Sequence, residues 1–189
     1  MISGAGRAAP SDFDLDDNLI VKKVISGQRE LCRFLVDRHQ REVNALGISF
    51  LRNREDAADF TQEVFLKAFR NLRQFEGTAR FSTWLYRIAY NTALNNVNRR
   101  KEYLSLAENY DAESALLTPE EESVKSVVRQ AVRQAVQELP EKYRSCIDLF
   151  FFYDRSYEEI ETITAYPVNT IKSYVFRAKK ILREKLKDL

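Results

Sequence analysis

Apolar residues return at helical spacing along most of the chain. From Asp16 onward, Leu19, Ile20 and Val24, then Leu31, Phe34, Leu35, Val43 and Leu46, recur every three or four positions, with an interruption near Ser26-Gly27. That spacing keeps one side of a helix apolar, so the pattern predicts two helices joined by a short turn. Asn53-Arg54-Glu55-Asp56 announces a third helix through DAADFTQEVFLKAFRNL, with Ala57, Thr61, Val64, Phe65, Ala68 and Leu72 on one stripe. Gly77 marks a break. Ser82 or Thr83 is placed to cap a fourth helix, WLYRIAYNTALNNVNRR, with Leu85, Ile88, Ala89 and Thr92 inward and Trp84, Arg87, Asn91, Asn95 and Asn98 opposite.

Further along, Pro119 is positioned to start a helix over Glu120 to Leu139, and Pro140 ends it, because proline is tolerated only in a first turn. Ser156-Tyr157-Glu158-Glu159 has the form of a capping box, and Thr164-Ala165-Tyr166 is a short connection before Pro167 opens another helix. Helix, tight turn, helix is the predicted result. In the last helix Val168, Ile171, Val175, Ala178 and Leu182 advance by three and four. Asn169, Lys172, Ser173, Phe176, Lys180 and Arg183 therefore face outward, a polar and basic side able to reach base edges or phosphates. The run Phe150, Phe151, Phe152 and Tyr153 is expected to pack the C-terminal core.

Composition agrees with an all-α fold. Gly and Pro are scarce, at 5 and 4 of 189 residues, and 44% hydrophobic content suffices for one ordinary domain or two small ones. The formal net charge of +2 hides opposite charges kept apart. Glu102 to Ser123 holds Glu102, Glu108, Asp111, Glu113, Glu120, Glu121 and Glu122 without a Lys or Arg, whereas Arg99, Arg100 and Lys101 precede it and the last helix is crowded with Lys and Arg. Two basic segments flanking an acidic connector suit a protein with two nucleic-acid contacts. Residues 1–15 lack periodicity and read as a disordered tail.

Cys32 and Cys146 are too few for a disulfide framework and lack zinc spacing, so they read as reduced cytosolic thiols. His39 lies seven residues from Cys32, but no third ligand has a defined spacing to them, so no metal is expected. No apolar run reaches membrane-spanning length and the opening MISGAGRAAPSDFDLDD lacks an apolar core. The expectation is a cytoplasmic protein without stable membrane insertion.

The segments DAADFTQEVFLKAF, FSTWLYRIAYNTALN and LPEKYRSCIDLFFFYDRSYEEIETITAYPVNTIKSYVFRAKKIL, in this order and at these separations, closely resemble the extracytoplasmic-function (ECF) sigma factors of the sigma-70 type. The resemblance spans roughly residues 16 to 187. It implies an all-α fold of two small domains: a region 2 helical bundle over 16–101 and a region 4 helix-turn-helix over 124–189, joined by a flexible acidic linker over 102–123. The function it implies is transcription initiation on core RNA polymerase, without catalysis and without a cofactor.

The resemblance also distributes roles. The helix around Asp56, Asp59, Gln62, Glu63, Leu66 and Arg70 is expected to bind the clamp helices of the polymerase β′ subunit, while region 4 meets the β flap. Phe75, Arg80, Phe81, Trp84, Arg87, Asn91, Asn95, Arg99 and Arg100 are expected to open the downstream (−10) element and hold an exposed base. Unpairing costs a few kcal/mol, and aromatic stacking with hydrogen bonds to the base edge offsets it. Asn169, Thr170, Lys172, Ser173, Phe176, Arg177 and Lys180 are expected on the upstream (−35) duplex, with the second helix of the motif entering the major groove. Tyr174 departs from the family, which often has Arg there. An anti-sigma partner wedged between the domains, itself anchored in the inner membrane in some systems, is the expected control.

Two other readings stay open on the residues alone. A conventional regulator would use only the C-terminal helix-turn-helix, with 16–101 as a sensor or dimerisation domain, and would bind a two-fold symmetric site without polymerase. A helical enzyme would need chemistry that one His, no phosphate-binding Gly loop and no recognisable carboxylate pair do not offer.

Overall fold

The structure is a computed structural model that describes residues 15–106 and 124–187, and every regular element among them is helical. Four helices precede the acidic stretch: α1 (Asp17–Ile25), α2 (Cys32–Leu51), α3 (Arg54–Arg70) and α4 (Phe81–Leu106). Four follow: α5 (Val124–Gln137), α6 (Glu141–Ile147), α7 (Tyr157–Thr164) and α8 (Val168–Lys185).

Local chemistry sets most of the boundaries. The Asp16 carboxylate accepts from the Asn18 N–H at the start of α1. Asn53 Oδ1 accepts from the Glu55 and Asp56 N–H groups at 2.8 and 3.1 Å, satisfying donors that no turn of α3 can reach. Ser156 and Glu159 form both halves of the capping box on α7. Ala165 ends α7 at φ 60°, the left-handed conformation that makes the sharp turn of the helix-turn-helix.

Two boundaries differ from the sequence reading, a third lies outside the described residues, and the break at Pro140 is found where expected. α4 begins at Phe81, so Ser82 and Thr83 lie inside it and are not its caps. It also runs to Leu106, five residues beyond the expected end of the first domain at 101. The predicted start at Pro119-Glu120 falls outside the described residues, and α5 is seen from Val124. Pro140 separates α5 from α6 and is itself the N-cap of α6.

In the first group α2, α3 and α4 pack around Leu35, Val43, Leu46, Val64, Leu85 and Ala89, all fully buried. α2 and α3 approach so closely at Gly47 that a Cβ there would stand 2.7 Å from the Phe60 ring and 3.2 Å from the Ala57 backbone. In the second group Leu149, Ile160, Ile163, Ile171, Val175 and Ala178 form the centre. The two groups are not apart: α4 packs directly against α7, and the buried residues of both make one continuous cluster.

The aromatic run corrects an expectation. After α6 the chain makes one π-helical turn, Asp148–Phe152, and four successive side chains point around its circumference, so they cannot share one core. Phe150 stacks on Tyr157 with centroids 4.8 Å apart, but Phe151 and Phe152 are 53% and 64% exposed. Tyr153 leaves its own group and lies against Tyr86 of α4, at 5.3 Å.

Candidate polymerase and nucleic-acid interfaces

Along α3, Asp59, Gln62, Leu66 and Arg70 follow one another at spacings of three and four and are all exposed. Leu66 is 56% exposed, an apolar centre ringed by polar groups, which is the composition of a protein-binding face. Glu63 stands apart from them. Its carboxylate pairs with Lys67 at 2.7 Å and accepts from Asn96 of α4 at 3.4 Å. Burial pushes its pKa up, yet Lys67, Asn96 and Arg99 outweigh that and hold it below the usual carboxylate range. Glu63 therefore ties α3 to α4. Asp56 forms an exposed pair with Arg100 at 3.5 Å.

Where α4 begins, Phe75, Phe81 and Trp84 form a three-ring cluster with centroids 5.5 to 5.8 Å apart. Their roles are unequal. Phe81 is 1% exposed, so it is the floor of the cluster and offers no face to a base, contrary to the sequence reading. Phe75 and Trp84 are half-buried and present the upper surfaces. Beside them Arg80, Arg87, Asn91, Asn95, Arg99 and Arg100 are all exposed; Trp84, Arg87, Asn91 and Asn95, spaced by three and four, share one side of α4, whereas Arg100 turns toward Asp56 of α3. Arg99 also donates to Asn96 Oδ1 at 2.8 Å.

Sequence reasoning missed what holds this cluster. The Phe81 N–H donates to Asn18 Oδ1 at 3.3 Å, and the His39 ring lies 5.6 Å from the Phe81 ring. His39 Nε2 in turn contacts Asp17 Oδ2 at 2.6 Å, and Arg38 donates to Asp17 Oδ1 at 2.7 Å. Burial raises the Asp17 pKa, but these two partners prevail and hold it below the ordinary range. The first turn of α1 thus props the start of α4, and His39 serves that join. Among the described residues no group of three or more His, Cys, Asp or Glu is arranged to hold a metal.

On α8, Asn169, Lys172, Phe176, Arg177 and Lys180 are exposed, while Thr170 and Ser173 are half-buried at the edge of the same face. Phe176 is 70% exposed, with no packing role that would place it there. Lys172 lies 5.7 Å over the Tyr157 ring, and Arg177 donates to the Tyr143 hydroxyl at 3.4 Å. Tyr174, the departure from the family pattern, is half-buried and packs between Tyr143 and Tyr166 at 5.2 and 5.6 Å, against the core.

A helical bundle with an aromatic, asparagine and arginine face, joined to a helix-turn-helix with a basic outer side, defines a two-part DNA-binding protein. Comparison with known proteins makes the class specific. The Sigma-70 region 2 family model matches residues 35–103, and the Sigma-70, region 4 model matches 129–182. The RNA polymerase sigma-H factor of Pseudomonas aeruginosa is 34% identical over 183 residues, covering 92% of this chain and 95% of that protein. The ECF RNA polymerase sigma-E factor of Haemophilus influenzae is 36% identical over 185 residues, covering 93% and 97%. Among solved structures, the sigma factor RpoE in complex with the anti-sigma factor NepR from Bartonella quintana superposes with a TM-score of 0.73 at 25% identity, covering 82% of this chain and 96% of that one. The chain belongs to the ECF sigma factors of the sigma-70 family, and is a transcription initiation factor that lends promoter specificity to core RNA polymerase.

Proposed function

We propose that the two helical groups divide initiation between them. Residues 16–101 act as region 2, with Asp59, Gln62, Leu66 and Arg70 on the β′ clamp helices and the Trp84 face on the −10 element. Residues 124–189 act as region 4, with the outer side of α8 in the major groove of the −35 element, and 102–123 connect them. The single observation that carries this reading is the succession of half-buried Trp84 and exposed Arg87, Asn91 and Asn95 along one side of α4, with half-buried Phe75 and exposed Arg80 where that helix begins. Flat surfaces, amide donor and acceptor pairs, and cations are what an unstacked strand requires. Phe81 supports the rings from below.

Melting on this reading is driven by binding energy. The sequence has no Gly-rich phosphate loop or Walker lysine, and the reading calls for no nucleotide hydrolysis. No described helix is long and apolar enough to cross a membrane. Control by an anti-sigma factor is supported by the RpoE relative, which is solved with NepR bound.

The test is binding to purified core polymerase. Asp59→Ala and Leu66→Ala are each expected to weaken it about tenfold or more, the effect of truncating one of the few residues that dominate an interface. Glu63→Gln should act through stability instead. A chain that does not bind core polymerase at all would overturn the reading.

A further inference from the structure

The start of α4 is capped from another helix. Phe81 is the first residue of α4, so its N–H has no acceptor within that helix, and it donates instead to Asn18 Oδ1 of α1 at 3.3 Å. Only an oxygen can accept there, which fixes the Asn18 amide with Oδ1 toward Phe81 and Nδ2 away from it. Asn18 Nδ2 makes no hydrogen bond among the described residues, yet it is not among the buried orphans, so it stands open to solvent with its donors unused.

The amide is rigidly mounted. Asp16, the N-cap of α1, accepts from the Asn18 backbone N–H at 3.2 Å. Asp17 is held by Arg38 at 2.7 Å and by His39 at 2.6 Å, and Arg38 also donates to the Leu15 carbonyl at 2.7 Å. The turn that carries Asn18 is therefore tied to α2 on both its carboxylate and its backbone, which is the support a recognition group needs.

Asn18 opens onto a groove. It shares one wall with Gly77, Thr78, Ala79 and Arg80, the loop that joins Phe75 to Phe81 of the aromatic cluster. Gly77 turns that loop at φ 74°, in the left-handed region that glycine enters without strain. The opposite wall, with Glu158, Glu159 and Thr162, belongs to the second helical group. The proposed function puts that group on the −35 element, so contact with a −10 base falls to the region 2 wall.

Capping alone does not call for an amide. A carboxylate accepts from the Phe81 N–H equally well and meets the positive end of α4 more favourably. What asparagine adds is the donor. A donor fixed beside a single-strand site discriminates between bases, because a ring nitrogen or carbonyl oxygen accepts from it, whereas an exocyclic amine turned the same way leaves both groups unpaired.

We propose that Asn18 is a specificity-determining residue of region 2: its Nδ2 donates to an acceptor on the edge of one unstacked −10 base while its Oδ1 caps α4. This rests on the sigma reading above and adds a base reader outside α4 and its preceding loop.

The experiment exposes holoenzyme, assembled from the full chain and core polymerase, to non-template −10 strands randomised at every position, and sequences the strands that bind. Wild-type holoenzyme is expected to enrich a definite base at several positions. Asn18→Asp keeps the cap and removes the donor. Enrichment should then fall about five- to tenfold at one position, the worth of one hydrogen bond, and hold at the others, while the melting temperature of the free chain is unchanged or raised. Asn18→Ala loses cap and donor together, so it should show the same loss at the same position with a lower melting temperature. An even loss of binding across all strands with Asn18→Asp would mean that its charge acts on phosphates, and overturns the base-reading role. Enrichment unmoved at every position in both variants overturns it as well, and leaves the sigma reading intact. Wild-type holoenzyme that enriches no sequence overturns the sigma reading of region 2, and this inference with it.

Discussion

Trp84 and Phe81 show how far burial decides what an aromatic residue does. Both rings belong to one cluster, but Phe81 is buried and Trp84 keeps part of its surface exposed. Trp84→Ala is accordingly expected to slow promoter opening by roughly ten- to hundredfold, the worth of one base stack, with little loss of initial binding. Fluorescence of 2-aminopurine placed in the −10 element separates the two steps. Phe81→Ala should instead cost about 3–5 kcal/mol of stability, read by thermal melting, because it empties a filled site. The sequence placed these rings beside the Asn and Arg face correctly. It did not rank them, since Phe75, Phe81 and Trp84 differ in which neighbours cover them, and that is settled by Asn18 and His39 from distant parts of the chain.

Asp148 gives a second prediction at this scale. Burial pushes its pKa up to about 6 against the pull of the Ser49 hydroxyl and of Arg144, with Tyr153 facing it from the same connection. A carboxyl raised above its unfolded value of 3.8 binds its proton more tightly when folded, so its cost is fully present above about pH 6 and disappears as pH falls toward 4. The cost is about 3 kcal/mol at most. Asp148→Asn should therefore be more stable than wild type at pH 8 and nearly equal to it at pH 4. Superimposable stability profiles of the two proteins across that range would contradict the assignment. Taking the difference between them removes the contributions of Asp17, Glu63 and Glu159, whose lowered pKa values make their stabilisation fade only at still more acid pH.

Among the elements, the close approach of α2 and α3 makes Gly47 irreplaceable. Gly47→Ala is expected to destabilise region 2 by about 1–3 kcal/mol in chemical denaturation, because the Phe60 ring and the Ala57 backbone must both give way. On α8, Lys180→Ala should weaken promoter binding across all −35 sequences and reduce the slope of log affinity against log salt by about 0.9, as befits one phosphate contact. An unchanged salt slope would remove Lys180 from the phosphate set. The caps of α3 and α7 were legible because each involves residues two or three apart in sequence. Ser82 and Thr83 were misread as caps for the complementary reason. Their hydroxyls have the right chemistry for a cap, but Arg155 and Glu159, more than seventy positions away, claim them.

For the whole molecule, the alternation of basic and acidic segments pointed to two nucleic-acid contacts, and the two family matches fall on the two helical groups. Direct docking of those groups had no sequence signature. Tyr86 and Tyr90 sit equally well in water or beneath a partner, and only tertiary contact distinguishes the cases. In this arrangement the Asp59, Gln62, Leu66 and Arg70 face of α3 stays exposed.

Permanganate footprinting of a cognate promoter with purified core polymerase, without any hydrolysable nucleotide, tests the central claim most directly. With this chain added, thymines of the −10 element should become reactive while the −35 element stays duplex, and core polymerase alone should leave both protected. A promoter that stays fully paired with the chain and core polymerase present, or a chain that occupies a two-fold symmetric site as a dimer without polymerase, would contradict it.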